Sequence, residues 1–226
     1  MATTIILNIE TATTNCSVSV GINGEVVALI EENTPNHSHS EQLHVFIEQV
    51  LEKASLSFSD LDAIAVSKGP GSYTGLRIGV SAAKGLCFSL DLPLISIATL
   101  ESMANQVLVS KNSVIIPVLD ARRMEVYSCV FNSQFREIRA TKAEVITEHS
   151  FEEYLDYEQI HLLGSGAEKC KDLLRNSKFV FHGQLIPSAK EMAFLSLKKF
   201  KADQLEDVAY FEPYYLKDFV LQGKRN

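Results

Sequence analysis

No apolar run in these 226 residues approaches the roughly 20 residues that a bilayer-spanning helix needs. Membrane association is therefore not expected. The opening Met1-Ala2-Thr3-Thr4 lacks the basic region of a signal peptide, which points to a cytoplasmic location. Positive charge is scarce: 21 Lys and Arg face 28 Asp and Glu, for a net charge of −7. A protein that grips a phosphate backbone unaided carries a basic patch. Arg122-Arg123 and Lys224-Arg225 are too small for one, so in any role on nucleic acid another subunit supplies most of the positive surface. Paired cysteines are missing as well. Cys16, Cys87, Cys129 and Cys170 lie far apart, which excludes a metal knuckle or a C-x-x-C redox pair and predicts buried free thiols. There is no low-complexity segment and no long linker. What is present is ordinary globular material, 46% hydrophobic, enough for one compact unit or two small subdomains.

The most specific stretch is Lys68-Gly69-Pro70-Gly71-Ser72-Tyr73-Thr74-Gly75-Leu76-Arg77-Ile78-Gly79. It follows the apolar run Ala63-Ile64-Ala65-Val66, a buried strand, and leads into a helical pattern from Leu76 to Leu90. A glycine-rich strand-to-helix turn offers free backbone N–H groups to an anion. The spacing fits neither phosphate motif, however. A P-loop has Lys and then a hydroxyl residue after its last Gly, where this chain has Leu76 and Arg77. Gly69, Gly71 and Gly75 also miss the dinucleotide spacing. In the helix, Gly75, Gly79, Ala82, Ala83 and Leu86 recur on one side. A helical Gly costs about 1 kcal/mol relative to Ala, so this stripe implies close backbone approach. It packs either against the protein's own sheet or a neighbouring helix, or against the helix of another protein.

Element order repeats. Ile5 to Ile9 reads as a buried strand ending at Glu10. Cys16 to Ile22 alternates as a second strand, Asn23-Gly24 makes a two-residue hairpin turn, and Glu25 to Ile30 returns as a third. Ser38-x-x-Glu41 fits a capping box before the stripe Leu43, Phe46, Ile47, Val50, Leu51, Ala54. Asp62 to Ser67 is a strand, the Gly75 helix follows, Leu94 to Ile97 is a strand, and Thr99 caps a third helix. Strands are then expected at Val114 to Leu119, ending at Asp120, and at Glu125 to Phe131, Phe135 to Ala140, Gln159 to Leu163 and Phe179 to Phe181. Helices are expected near Phe151 to Leu155, over Ala167 to Leu174, and over Ser188 to Lys201 with Ser188 as cap. The result is α/β, a duplicated βββαβαβα with a shorter second copy. Residues 1–110 form an N-terminal subdomain and 111–226 a C-terminal one.

This duplication resembles the ribonuclease-H-like actin, sugar-kinase and Hsp70 (ASKHA) superfamily. Its members hold nucleotide phosphates between hairpins that follow acidic strand ends, where small residues allow approach. Neither hairpin here, Thr11 to Asn15 or Ala121 to Met124, contains Gly. Glu10 and Asp120 remain candidates for a residual nucleotide or Mg²⁺ site; equally, they can bond nearby backbone N–H groups. His37 and His39 are only two apart and His39 and His44 are five apart, which does not match helical metal pairs. No metal site is expected. No G-x-S-x-G elbow is present, Ser72 has no base tied to it by sequence, and Gly164-Ser165-Gly166-Ala167 reads as a tight turn or a weak adenosine contact.

Several motifs resemble the TsaB (YeaZ) family of tRNA threonylcarbamoyladenosine biosynthesis. They are Ile9-Glu10-Thr11-Ala12-Thr13, His39-Ser40-Glu41-Gln42-Leu43, the Gly69 to Gly79 segment with Lys84-Gly85-Leu86, Asp120-Ala121-Arg122 with Glu125-Val126-Tyr127, and Glu212-Pro213-Tyr214-Tyr215-Leu216. The resemblance implies a non-catalytic scaffold or activating subunit, without cofactor. Its partners would be a TsaD-like transferase and a TsaE-like ATPase, with tRNA met indirectly through the complex. A homodimer could form through the same helices. The implied docking face comprises His44, Val45, Glu48 and Glu52 of the first helix with Gly75, Gly79, Ala82, Ala83 and Leu86 of the second. A Leu-sized residue at Gly79 is then expected to abolish docking and leave the fold intact. The family's usual Asp after the first strand is Glu10 here. The competing activities, an ATP-dependent phosphotransferase and a peptidase, lack the hairpin glycines and the triad they would need.

Overall fold

The computed structural model describes residues 3–34 and 39–217. Strands β1 (Ile5–Glu10), β2 (Asn15–Ile22) and β3 (Glu25–Asn33) form a meander, in which Asn23 and Gly24 take φ of 52° and 85° at the first tight turn. Helix α1 (His39–Ala54) crosses to β4 (Ala63–Gly69), and α2 (Tyr73–Leu90) crosses to β5 (Leu94–Ala98). The strands order as β3-β2-β1-β4-β5. After α3 (Thr99–Ala104) come β6 (Ser113–Asp120), β7 (Glu125–Asn132), β8 (Glu137–Val145), β9 (Gln159–Leu163), α4 (Ala167–Lys171), β10 (Phe179–His182) and α5 (Met192–Lys201). Their sheet runs β10-β9-β6-β7-β8, the same order as the first sheet in its own numbering. This is the duplicated ribonuclease-H-like fold of the ASKHA type. Among the described residues no helix is long and apolar enough to cross a membrane.

Alternation along the strands explains both layers of the first sheet. Leu7, Ile9, Val18, Val20, Ile64 and Val66 point to one side and bury the apolar stripe of α1 with α2. Ile6, Ala63, Ala65, Ile95 and Ile97 point to the other and meet α5. Inside that second layer Ser196 donates to Asn8 Oδ1 at 2.7 Å, so the buried amide is satisfied.

The two halves exchange helices. Leu100, Met103 and Ala104 of α3 sit in a core with Ile115, Leu119 and Leu163 of the second sheet. Met192, Leu195 and Leu197 of α5 sit in the core of the first. A cut at residue 110 therefore does not separate two cores, because each half carries a helix that the other's sheet needs.

Several element ends differ from the sequence reading. α5 begins at Met192, not Ser188, because the Ser188 hydroxyl donates to Glu31 Oε2 at 2.7 Å and ties the preceding loop to β3. β8 begins at Glu137, since Phe135 occupies a turn with φ 58° and bonds back to Asn132 O. α4 stops at Lys171, and the segment near Phe151 is one 3₁₀ turn, Glu152–Tyr154. Thr99 is the first residue of α3 and Ala98 its cap position. Ser38 of the expected capping box and His37 lie outside the described residues, as does Lys224-Arg225.

Candidate docking groove and interlobe cleft

The glycine-rich turn folds onto the β1–β2 hairpin. Ser72 caps α2, its hydroxyl accepting from Gly75 N at 3.2 Å, and Ser72 N donates to Ala12 O at 2.7 Å. Thr11 Oγ1 donates to Gly75 O at 2.8 Å. A Cβ on Gly71 would overlap Ala12 O, one on Gly75 would overlap Thr11 O, and one on Gly79 would overlap Thr11 Oγ1. The close approach implied by the glycine stripe is thus to the protein's own hairpin. Gly75, Gly79 and Ala83 are buried, and this corrects their placement on an outward docking face. In a helix the residues facing out lie about half a turn from those facing in. They are Thr74, Arg77, Ile78, Ser81, Gly85 and Phe88, which the sequence reading missed. The polar positions Arg77, Ser81 and Lys84 between the small residues were the available signal.

Between α1 and α2 lies a cavity of about 610 Å³. His44 and Ser40 of α1 line it, together with Tyr73, Arg77, Ile78, Ala82, Gly85 and Leu86 of α2. The structure therefore brings together His44, Ala82 and Leu86 of the expected residues. Val45, 47% exposed, and the exposed Glu48 and Glu52 lie outside the groove on the outward side of α1. Phe88, 86% exposed, stands farther along α2. Among the described glycines, Gly85 is the one on which a Cβ would meet nothing within 4 Å.

A second cavity of about 630 Å³ separates the two sheets. The β1–β2 hairpin, the glycine turn, Asp120, Arg122, Tyr127, Ser165, Pro187 and the segment Tyr214 to Lys217 wall it. Asp120 is half exposed there, accepting from Lys169 Nζ at 2.9 Å and from Arg122 N at 2.6 Å. Glu10 is not on this surface. It is fully buried, with Oε1 taking Ala12 N at 2.6 Å and Ser67 Oγ at 2.7 Å, while Oε2 has no partner. Burial pushes its carboxyl up to about 7, against the pull of the Ala12 N–H, the Ser67 hydroxyl and the Thr11 N–H. The two acidic strand ends thus do not share an open site. The donor set does not fit a divalent cation: Glu10 is fully buried with its carboxyl pushed up to about 7, Asp120 is paired with a lysine, and no three His, Cys, Asp or Glu converge among the described residues. His39 is buried at the start of α1 with Nε2 2.6 Å from Thr13 O, a structural contact to the hairpin.

The family model TsaD, tRNA N6-adenosine threonylcarbamoyltransferase, matches residues 32–220. The tRNA threonylcarbamoyladenosine biosynthesis protein TsaB of Escherichia coli K12 is 31% identical over 230 residues, covering 97% of each chain. A tRNA N6-adenosine threonylcarbamoyltransferase of Bacillus thuringiensis Al Hakam is 38% identical over 110 residues, 42% of this chain and 32% of its own length. The solved YeaZ of Pseudomonas aeruginosa superposes with a TM-score of 0.78 over 96% of this chain and 100% of that one, at 23% identity, a likeness of fold. With an end-to-end relative, a matching family model and the duplicated sheet all in agreement, the chain belongs to the TsaB (YeaZ) family of tRNA threonylcarbamoyladenosine biosynthesis proteins.

Proposed function

We propose that this protein is a non-catalytic activating subunit of the complex that attaches a threonylcarbamoyl group to the adenosine beside the tRNA anticodon. It docks a TsaD-like transferase on the α1–α2 groove, and the pair recruits a TsaE-like ATPase. The observation that carries this reading is the groove itself. Its wall and floor, Ile78, Ala82 and Leu86, are apolar, Gly85 leaves room for a penetrating side chain, and Val45 and Phe88 stand exposed nearby. Apolar surface rimmed by polar residues marks an interaction site. The acidic outer side of α1, with Glu48 and Glu52, favours a basic partner surface and faster encounter. Without the partner, two copies could pair through the same helices.

Loss of an own reaction site fits the same reading. Glu10 is fully buried and bonded to Ala12 N and the Ser67 hydroxyl, and the hydroxyl of Ser72 is engaged as a helix cap rather than presented to a base. tRNA then meets this subunit through the complex, consistent with the net charge of −7. The test is co-purification with the TsaD-like protein, then a tRNA modification assay with this chain alone, the partner alone and both. Modification is expected only with the partner present and more with both. Modification by this chain alone overturns the non-catalytic assignment.

A further inference from the structure

A strap formed by the C-terminal end of the described chain crosses the glycine-rich turn. It starts on the first sheet, where Glu206 bridges antiparallel to Leu94. Lys84 of α2 then donates to the carbonyl oxygens of Ala209, at 3.1 Å, and Phe211, at 3.0 Å. Tyr214 N donates to Lys68 O at 2.7 Å, close beside Gly69, which has a φ of +104° and on which a Cβ would stand 3.0 Å from Tyr214 O. The strap ends on the second sheet: Lys217 pairs with Glu125 and lies 5.8 Å above the Tyr127 ring, both on β7.

Midway, Tyr215 packs on Tyr73 with ring centroids 4.9 Å apart. Tyr73 is the first residue of α2, and it lines both the interlobe cleft and the α1–α2 groove. Arg77, another groove residue, donates to the Tyr73 hydroxyl at 3.1 Å and holds its guanidinium 5.2 Å from the ring centre. The chain of contacts therefore runs from β7 through Lys217, Tyr215 and Tyr73 to Arg77 in the groove.

We infer that Tyr215 is a positioning residue for partner docking: the strap holds Tyr73, and through it Arg77, in the shape the partner meets, and so links the docking groove to the second sheet. This rests on the docking reading above. Holding two long side chains in one arrangement before contact removes part of the ordering cost of association. Because coupling between sites is reciprocal, a bound partner should in turn protect the strap.

Tyr215→Ala and Tyr215→Phe test this in the full chain by hydrogen exchange and by titration calorimetry with the TsaD-like subunit. Tyr215→Ala is expected to speed amide exchange at the start of α2, residues 76–80, and to weaken binding roughly three- to tenfold, the range an aromatic pair carries. Tyr215→Phe keeps the ring and should restore both readouts. Unchanged exchange in Tyr215→Ala overturns the inference whatever the partner does. Faster exchange with unchanged affinity overturns it too, while leaving the docking site intact. If the wild type itself fails to bind, the docking reading has failed, and exchange alone decides whether the strap holds α2.

Discussion

Thr11 and Gly75 are in backbone contact: the Thr11 hydroxyl donates to Gly75 O at 2.8 Å, and a Cβ on Gly75 would overlap Thr11 O. Gly71 and Gly79 flank the same hairpin equally closely. In this protein the small residues lie on the turn and the helix, while the hairpin keeps Thr11, Ala12, Thr13 and Thr14. The hairpin is thus packed against its own chain, where a phosphate-binding relative would need open backbone.

Gly75→Ala and Gly79→Ala should therefore destabilise the monomer. Overpacking costs about 1–3 kcal/mol, and sometimes more, against a gain of about 1 kcal/mol in helix propensity. With backbone oxygen as the obstacle at Gly75, a net loss of about 2 kcal/mol is expected there, or roughly 4–8 °C in Tm for a chain of this size. A larger residue at Gly79 should cost folding as well as docking, contrary to the expectation drawn from the sequence. Differential scanning calorimetry decides; wild-type melting in both variants would remove the close-packing account.

Gly85 offers the cleaner probe of docking. Open space surrounds its would-be Cβ, so Gly85→Ala should stabilise the helix by about 0.5–1 kcal/mol. Gly85→Trp should fill the groove, retain the fold by circular dichroism, and lose co-purification with the TsaD-like partner. A Gly85→Trp protein that still binds normally would move the interface elsewhere.

Burial raises the Glu10 carboxyl to about 7 from an ordinary 4.5. Between those values the unfolded chain has released a proton that the folded chain keeps. The folded state binds more protons, so its stability falls as pH rises through that window. The loss is on the order of 3 kcal/mol by pH 8. Urea unfolding at pH 5 and pH 8 should show this fall in the wild type and much less of it in Glu10→Gln. Equal pH dependence in both would mean that Glu10 is ionised in the folded protein at low cost.

All four cysteines are buried and free, and burial pushes Cys16 up to about 11 and Cys87, Cys129 and Cys170 up to about 12. Because the thiolate is the reactive form, a disulfide reagent at pH 8 should label none of them promptly in the native protein and all of them in denaturant. Fast native labelling of any one would show that its site opens.

Much of the molecule was readable from residue order alone. Alternation and helical spacing placed both sheets and α1 and α2, because those patterns record which side of each element meets a core. The absence of glycine from the first hairpin was legible too, but its close packing at Thr11 and Ala12 against Gly71, Gly75 and Gly79 was not. Ends set by side-chain partners far away were not readable. Ser188 looks like a helix cap until Glu31, distant in sequence, claims its hydroxyl.

The direction of the glycine stripe shows the same division. Its spacing determined that α2 must lie against another backbone, since only close approach offsets the conformational cost of helical glycine. Which backbone it meets, the hairpin of the same chain at Thr11, depends on how β1, β4 and α2 come together, and a one-dimensional pattern holds no information about that. The exchange of α3 and α5 between the two sheets was likewise decided by tertiary structure: an apolar helix face names no partner, and only the assembled sheets leave a matching surface to cover.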